Sequence, residues 1–183
     1  MQVYVILSPG FEEVEAVTVI DIMRRAGIGV TTVSLNGNTA VMGSHGIVVM
    51  ADESFEEAKE KCGDAVVLPG GMKGVTNMLA SDGLKAFVKK HYDAGAVVAA
   101  VCAAPLVLDE LGILRAGRFT CHPCVHDRVK CESVQNAPAV VDDRIVTGRS
   151  AGCAMVWSIE LVRRLLGELP ISLLEGLRMD AVG

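Results

Sequence analysis

The chain has 183 residues, 51% hydrophobic but only 4% aromatic, with a net charge of −5. Such a chain can fill one α/β domain with Val, Ile, Leu and Ala, the usual content of buried parallel strands covered by helices. Interspersed acidic and basic residues argue against a nucleic-acid surface. The longest run without polar side chains, Ala94 to Leu108, is too short for a membrane span and carries Gly95 and Pro105.

The pattern of elements begins at once. Val3–Leu7 reads as a strand with no basic segment before it, so no signal peptide is expected. Six cysteines without a secretion signal then point to reduced thiols and a cytoplasmic setting. Glu12–Ala26 is a predicted helix closed by Gly27, and Val30–Leu35 a second strand. Ala40–Met42 and Ile47–Met50 form a hairpin around Gly43-Ser44-His45-Gly46, and Phe55–Lys61 is a short helix. Ala65–Leu68 is a buried strand ending at Pro69-Gly70-Gly71, and Asp82–Ala94 is a helix. Arg118–Thr120 is extended and Val125–Val129 a helical turn. Ala139–Val141 and Arg144–Thr147 pair around Asp142-Asp143, and helices follow at Ala154–Leu166 and Ile171–Met179. With no repeat or linker, residues 1–183 are expected to form one domain. Alternating strands and helices imply a parallel sheet with helices on both faces and a site outside the carboxyl ends of the strands.

One strand end stands out. Val97–Val101 is a buried strand, Cys102 follows it, and a helix starts at Ala103, with Pro105 in its first turn and Gly112 closing it. A thiol at a strand-to-helix turn faces solvent beside free helix amides, which lower its pKa. This is the arrangement of a nucleophile elbow. A small core hydrophobe is the alternative for any lone cysteine.

Three other features could serve that thiol. Glu15 shares a helix face with Val19 and Ile22 and points at the core, while Glu12 and Glu13 can face water. Burial would raise the Glu15 pKa and let it exchange protons near neutrality; a half-exposed first-turn carboxylate is the alternative. Gly70 and Gly71 let backbone amides approach a ligand, and one could join the Ala103 amide in an oxyanion hole. Cys121-His122-Pro123-Cys124-Val125-His126 admits a metal site, a redox pair, or a lone role for His122 as base or orienter. There is no second cysteine pair at zinc-finger spacing, so no metal is expected.

The residues together carry a resemblance. The markers are Gly10-Phe11-Glu12-Glu13-Val14-Glu15-Ala16, Val19 to Gly27, Leu68-Pro69-Gly70-Gly71, Ala99 to Pro105, and His122-Pro123. In this order they resemble the ThiJ/PfpI superfamily, and within it the Parkinsonism-associated deglycase and glyoxalase III branch. The resemblance implies a flavodoxin-like α/β/α sandwich with a mostly parallel sheet and a small β-hairpin, a homodimer, and no cofactor. It implies a Cys102 thiolate paired with protonated Glu15, His122 nearby, and an oxyanion hole from the Gly71 and Ala103 amides. Arg25 matches a rim arginine of the family. His45 stands where relatives often carry an arginine, and Arg149 aligns within Gly148-Arg149-Ser150-Ala151-Gly152, which only loosely matches a Gly-Pro-Gly loop. These rim residues bear on substrate choice. The related proteases place a histidine directly after the nucleophile, where this chain has Ala103. The related amidotransferases carry a late His-x-Glu, whereas the last histidine here is His126.

The resemblance thus implies a cofactor-independent glyoxalase III or deglycase acting on small α-oxoaldehydes through a cysteine hemithioacetal. The alternative is a redox-sensing stress-response protein or chaperone whose Cys102 is oxidised to sulfinate. The expected partners are a small aldehyde and a second copy of the chain, with neither membrane nor nucleic acid.

Overall fold

The computed structural model describes residues 1–114, 117–131 and 133–177. Its centre is a seven-stranded sheet. In chain order the strands are β1 (Gln2–Leu7), β2 (Gly29–Ser34), β5 (Glu53–Ser54), β6 (Ala65–Leu68), β7 (Val97–Val101), β8 (Ala139–Asp142) and β9 (Ile145–Gly148), and the spatial order is β5-β2-β1-β6-β7-β9-β8. All neighbours are parallel except β8 and β9, whose antiparallel turn places Asp143 at φ +51°. Strands β3 (Ala40–Met42) and β4 (Val48–Met50) form a separate hairpin.

Period-two alternation divides the core. Val3, Val5 and Leu7 enter one layer with Val67, Ala99, Val101 and Val146; there α1 (Glu13–Arg25), α6 (Ala154–Leu166) and α7 (Ile171–Leu177) cover the sheet. Tyr4, Ile6, Val66, Leu68, Val98 and Ala100 enter the other layer. It is covered by α2 (Phe55–Ala58), α3 (Met72–Ala80), α4 (Asp82–Asp93) and α5 (Pro105–Glu110). The result is the expected α/β/α flavodoxin-like sandwich.

Some expectations shift. The helix expected over Phe55–Lys61 stops at Ala58, and the turn expected at Val125–Val129 is a 3₁₀ segment over Pro123–Arg128. The terminal helix is seen to Leu177, and the last two residues expected for it lie outside the described residues. Helix α3 was not expected at all. Its Gly74, Val75, Thr76 and Asn77 are poor helix formers, but Val75 and Met78 are fully buried, and packing decides. Strand β5 was missed because two polar residues carry no alternation. No described helix is long and apolar enough to cross a membrane.

The chain order reverses across β1, whose neighbours are β2 and β6. The turns after β1 and β6 therefore flank a crevice at the carboxyl ends, and the β7 turn lies one strand away.

Candidate active site

Cys102 ends β7 with φ +62°, a left-handed conformation that costs a non-glycine residue roughly 1–2 kcal/mol. Two backbone bonds hold it there. Its N–H donates to the Gly148 carbonyl at the end of β9 (2.9 Å), and its carbonyl accepts from the His122 N–H (2.8 Å). The half-buried thiol then faces the α1 layer. Helix α5 follows directly, with Pro105 at its first position.

Glu15 meets the thiol from above. It lies in the first turn of α1 and is fully buried. Its Oε2 accepts from the Gly70 N–H at 2.7 Å, while Oε1 is buried with no hydrogen-bond partner among the described residues. Gly70 is wedged between the two groups: a Cβ there would lie 2.6 Å from both Cys102 Cβ and Glu15 Oε2. Gly71 adopts φ +87°, and a Cβ on it would lie 2.4 Å from the Gly10 carbonyl. Only glycine keeps both turns this close.

Electrostatics couple the pair. Burial raises the Glu15 carboxyl to about 7, and the Gly70 amide and Cys102 only partly oppose that. Burial, then the Glu15 charge and contact, push the Cys102 thiol up to about 12. The Ala103 and Gly71 amides pull the thiol down, as the elbow geometry predicts, but they are outweighed. The expectation of a thiol lowered by helix amides alone is therefore corrected. The charge that opposes thiolate disappears only when Glu15 carries the proton, so the two groups titrate as one unit.

The remaining expected residues divide. The backbone of His122 touches Cys102, but its half-buried imidazole accepts the Cys124 N–H at Nδ1 (3.2 Å), which caps the 3₁₀ turn and leaves the neutral ring's proton on Nε2. Arg149 follows the Gly148 carbonyl that holds Cys102. Arg25 is not brought to the site within the chain. It lies ten residues beyond Glu15 on α1, about 15 Å along the axis, and pairs with Asp21 (2.7 Å). His45 sits at the rim, 3.0 Å from Glu13 Oε2 and 3.4 Å from Glu12 Oε1.

The sequence reading placed Glu13 in water, and that is corrected. Glu13 is 4% exposed and accepts from the backbone N–H groups of His45 (2.7 Å) and Ile47 (3.3 Å), the Ser44 hydroxyl and the His45 ring. Despite burial, these donors hold its carboxyl at about 2. It ties the hairpin to α1. Gly10 N–H to Met42 and Ser44 N–H to Phe11, both 2.8 Å, complete the attachment. Helical periodicity could not show this, because the donors come from a loop thirty residues away.

The cysteine–histidine run does not converge as a metal site. Cys121 is buried in the layer opposite the one Cys102 faces, and Cys124 and His126 are exposed. Among the described residues, the three ligand-type side chains that do converge are Glu12, Glu13 and His45. There the imidazole Nδ1 lies against both carboxylates, 3.0 Å from Glu13 and 3.4 Å from Glu12.

The arrangement sets a left-handed cysteine against a buried carboxyl raised to about 7, with the Gly71 and Ala103 amides bonded to the thiol. A family model described as the DJ-1/PfpI family matches residues 1–164. A Danio rerio protein named Parkinson disease protein 7 homolog is 34% identical over 89% of this chain and 88% of its own. A Pyrococcus abyssi protein named a deglycase is 30% identical over 90% and 99%. The chain also matches Arabidopsis thaliana Protein DJ-1 homolog B at 33% identity, covering 91% of itself but 39% of that longer protein. Among solved structures, a cysteine-to-alanine mutant of a Salmonella typhimurium DJ-1 superfamily protein superposes with a TM-score of 0.90 at 34% identity, over 97% and 96% of the two chains. Toxoplasma gondii DJ-1, solved oxidised, gives 0.85 at 31%, over 88% and 89%. With its strand order, its Cys102 elbow and this match over most of its length, the chain belongs to the DJ-1/PfpI family.

Proposed function

We propose that this protein is a cofactor-independent enzyme that converts small α-oxoaldehydes such as methylglyoxal and glyoxal to hydroxy acids. The observation that carries this reading is the left-handed Cys102 thiol set against a buried Glu15 that holds its proton near neutrality. The Cys102 thiolate adds to the aldehyde carbon, and the new oxyanion rests on the Gly71 and Ala103 amides. Glu15 protonates that oxygen. A proton then moves from the former aldehyde carbon to the neighbouring carbonyl carbon and the hydroxyl proton passes to that carbon's oxygen, with Glu15 and His122 as carriers, which turns the hemithioacetal into a thioester. Water cleaves the thioester to the hydroxy acid and restores the thiol. Early glycation adducts of amines would enter by the same addition, and the Pyrococcus relative's name supports this extension. Purified protein given methylglyoxal without glutathione should form lactate, and no turnover would remove the proposal.

The oxidised Toxoplasma relative favours a second reading, in which Cys102 is oxidised by peroxide to sulfinate as a stress signal. Selective peroxide oxidation in a protein that turns over no aldehyde would select it.

We further propose a homodimer in the reducing cytoplasm. Val14, Val17, Ile47 and Val48 are each about half exposed, and the first three line one groove between α1 and the hairpin. Such a strip suits a self-complementary interface burying Ala40–Met50 and part of α1. A partner's Arg25 would reach the rim only in such a pair. Light scattering that finds only monomer at micromolar concentration would remove the dimer and that role. Residues 1–183 are proposed to unfold as a single domain, in one calorimetric transition.

A further inference from the structure

The His45 imidazole meets two carboxylates whose circumstances differ. Glu13 keeps three other donors, the N–H groups of His45 and Ile47 and the Ser44 hydroxyl. Glu12 has the Ser44 hydroxyl (3.0 Å) and the imidazole. Within one chain, the charged groups against the ring are therefore Glu12, just before α1, and Glu13 in its first turn. Lys73 of α3 lines the same groove of about 560 Å³ as Ser44 and Gly46 of the hairpin loop. Within one chain His45 itself is largely exposed, with 69% of its side chain outside these contacts.

Glu12 also leads to the reactive pair. Its N–H donates to the Gly70 carbonyl (3.0 Å), and the N–H of that same Gly70 donates to Glu15. The Glu12 charge reaches Glu15 and opposes its ionisation. An imidazolium beside Glu12 cancels that charge, and a neutral imidazole leaves it bare. The carboxylates in turn raise the His45 pKa above its ordinary value, which favours the imidazolium beside Glu12.

We propose that His45 is a positioning residue that acts through Glu12 on the Glu15–Cys102 pair: its cation lets the pair give up a proton, and its neutral form makes the pair hold that proton more tightly. The inference rests on Cys102 and Glu15 being the reactive pair, but not on any aldehyde chemistry. Its consequence is a response to pH that is flatter than a single ionisation, because each proton lost from His45 opposes the next loss from the pair.

The test follows the rate at which iodoacetamide alkylates Cys102, read by peptide mass mapping between pH 5 and 10. Parent, His45→Arg and His45→Gln proteins are compared, each with Glu12 and with Glu12→Gln. A fixed cation should lower the midpoint and steepen the curve. The neutral amide should raise the midpoint by roughly half a pH unit, the effect of one charge about 10 Å away in a partly solvated rim. With Glu12→Gln the two curves should draw closer, because the cation loses the carboxylate that holds it beside the Gly70 turn. A purely structural role predicts the same displacement for both His45 variants, since both remove the ring. Shifts in one direction, no shift, or a separation that Glu12→Gln leaves undiminished would each overturn the proposal. If His45→Arg perturbs the circular dichroism spectrum, His45→Lys supplies the same cation. The assay contains no aldehyde, so failure of the proposed enzyme activity would leave the order of midpoints intact.

Discussion

Glu13 and Glu15 lie two residues apart in one helical turn, and both are buried. They are driven in opposite directions, Glu13 down to about 2 and Glu15 up to about 7. The hairpin presents Glu13 with backbone amides, a hydroxyl and an imidazole. The end of the sheet presents Glu15 with one amide and leaves an oxygen unpaired. Burial alone therefore does not decide a carboxylate's state; the number of donors waiting for it does. At the rim the chain uses a carboxylate as a structural clamp, and beside the thiol it keeps one as a proton store.

The largest effect expected comes from removing what Glu15 serves. Cys102→Ser is nearly isosteric but is not ionised at neutral pH, so methylglyoxal turnover should fall by about a thousandfold or more with the fold unchanged. Circular dichroism and a lactate assay check both parts, and substantial residual turnover would mean that Glu15 stores its proton for something else. Next is Glu15→Gln, which keeps the shape and a donor but cannot release a proton. Turnover should fall roughly a hundredfold while alkylation of Cys102 persists. Glu15→Leu should lose turnover too. It should also shift the pH dependence of alkylation well away from the parent's, because the thiol loses both the acid that charges against it and the donor beside it.

Stability sharpens the contrast further. Glu13→Ala strands several donors and should cost about 2–4 kcal/mol in urea unfolding at neutral pH. Glu15→Leu removes a poorly satisfied buried carboxylate and should gain about 1–2 kcal/mol under the same conditions. Their pH windows also differ. The folded pKa of Glu13 lies below its ordinary 4.5, so its contribution is present above that value and is lost as pH falls toward 2. The folded pKa of Glu15 lies above 4.5, so the unfolded chain ionises first, and stability falls as pH rises from 4.5 to about 7. Glu15→Leu should flatten that second limb alone. Equal slopes in parent and variant between pH 4.5 and 7 would show that Glu15 ionises normally in the fold.

Much of this fold was legible because strands β1, β6 and β7 are short, apolar and closed by Pro, Gly or Cys turns. The Cys102 elbow and the inward face of Glu15 were legible for the same local reasons. Glu13 was not, because its partners, Ser44, His45 and Ile47, come from a hairpin whose docking is a tertiary event. Helix α3 was not, because only burial of Val75 and Met78 overrides its weak propensity. The roles of Cys102 and Cys121 also depend on which face of the sheet each side chain takes, and the run Cys121-His122-Pro123-Cys124 gives no clue to that.

The smallest effect follows from those faces. Cys121 is 1% exposed, and burial pushes its thiol up to about 11, in the layer opposite the one Cys102 faces. Mild peroxide followed by peptide mapping should find Cys102 oxidised, Cys121 unmodified and no bond between them, since bridging needs Cα atoms within about 7 Å and converging side chains. A Cys102–Cys121 disulfide would show that the carboxyl end of β7 rearranges.

Gly70 has a consequence for how such a site can change over time. Its missing side chain is what lets the carboxyl and the thiol come together, with no room for even a methyl group between them. A saturation library scored for turnover should accept a single letter at that position while tolerating variety at 45 and 149. Rim residues can therefore drift one substitution at a time. The spacing of acid and thiol cannot drift, because a larger residue at 70 needs simultaneous compensation at 15 and 102. Residues 15, 70 and 102 are therefore expected to change together or not at all.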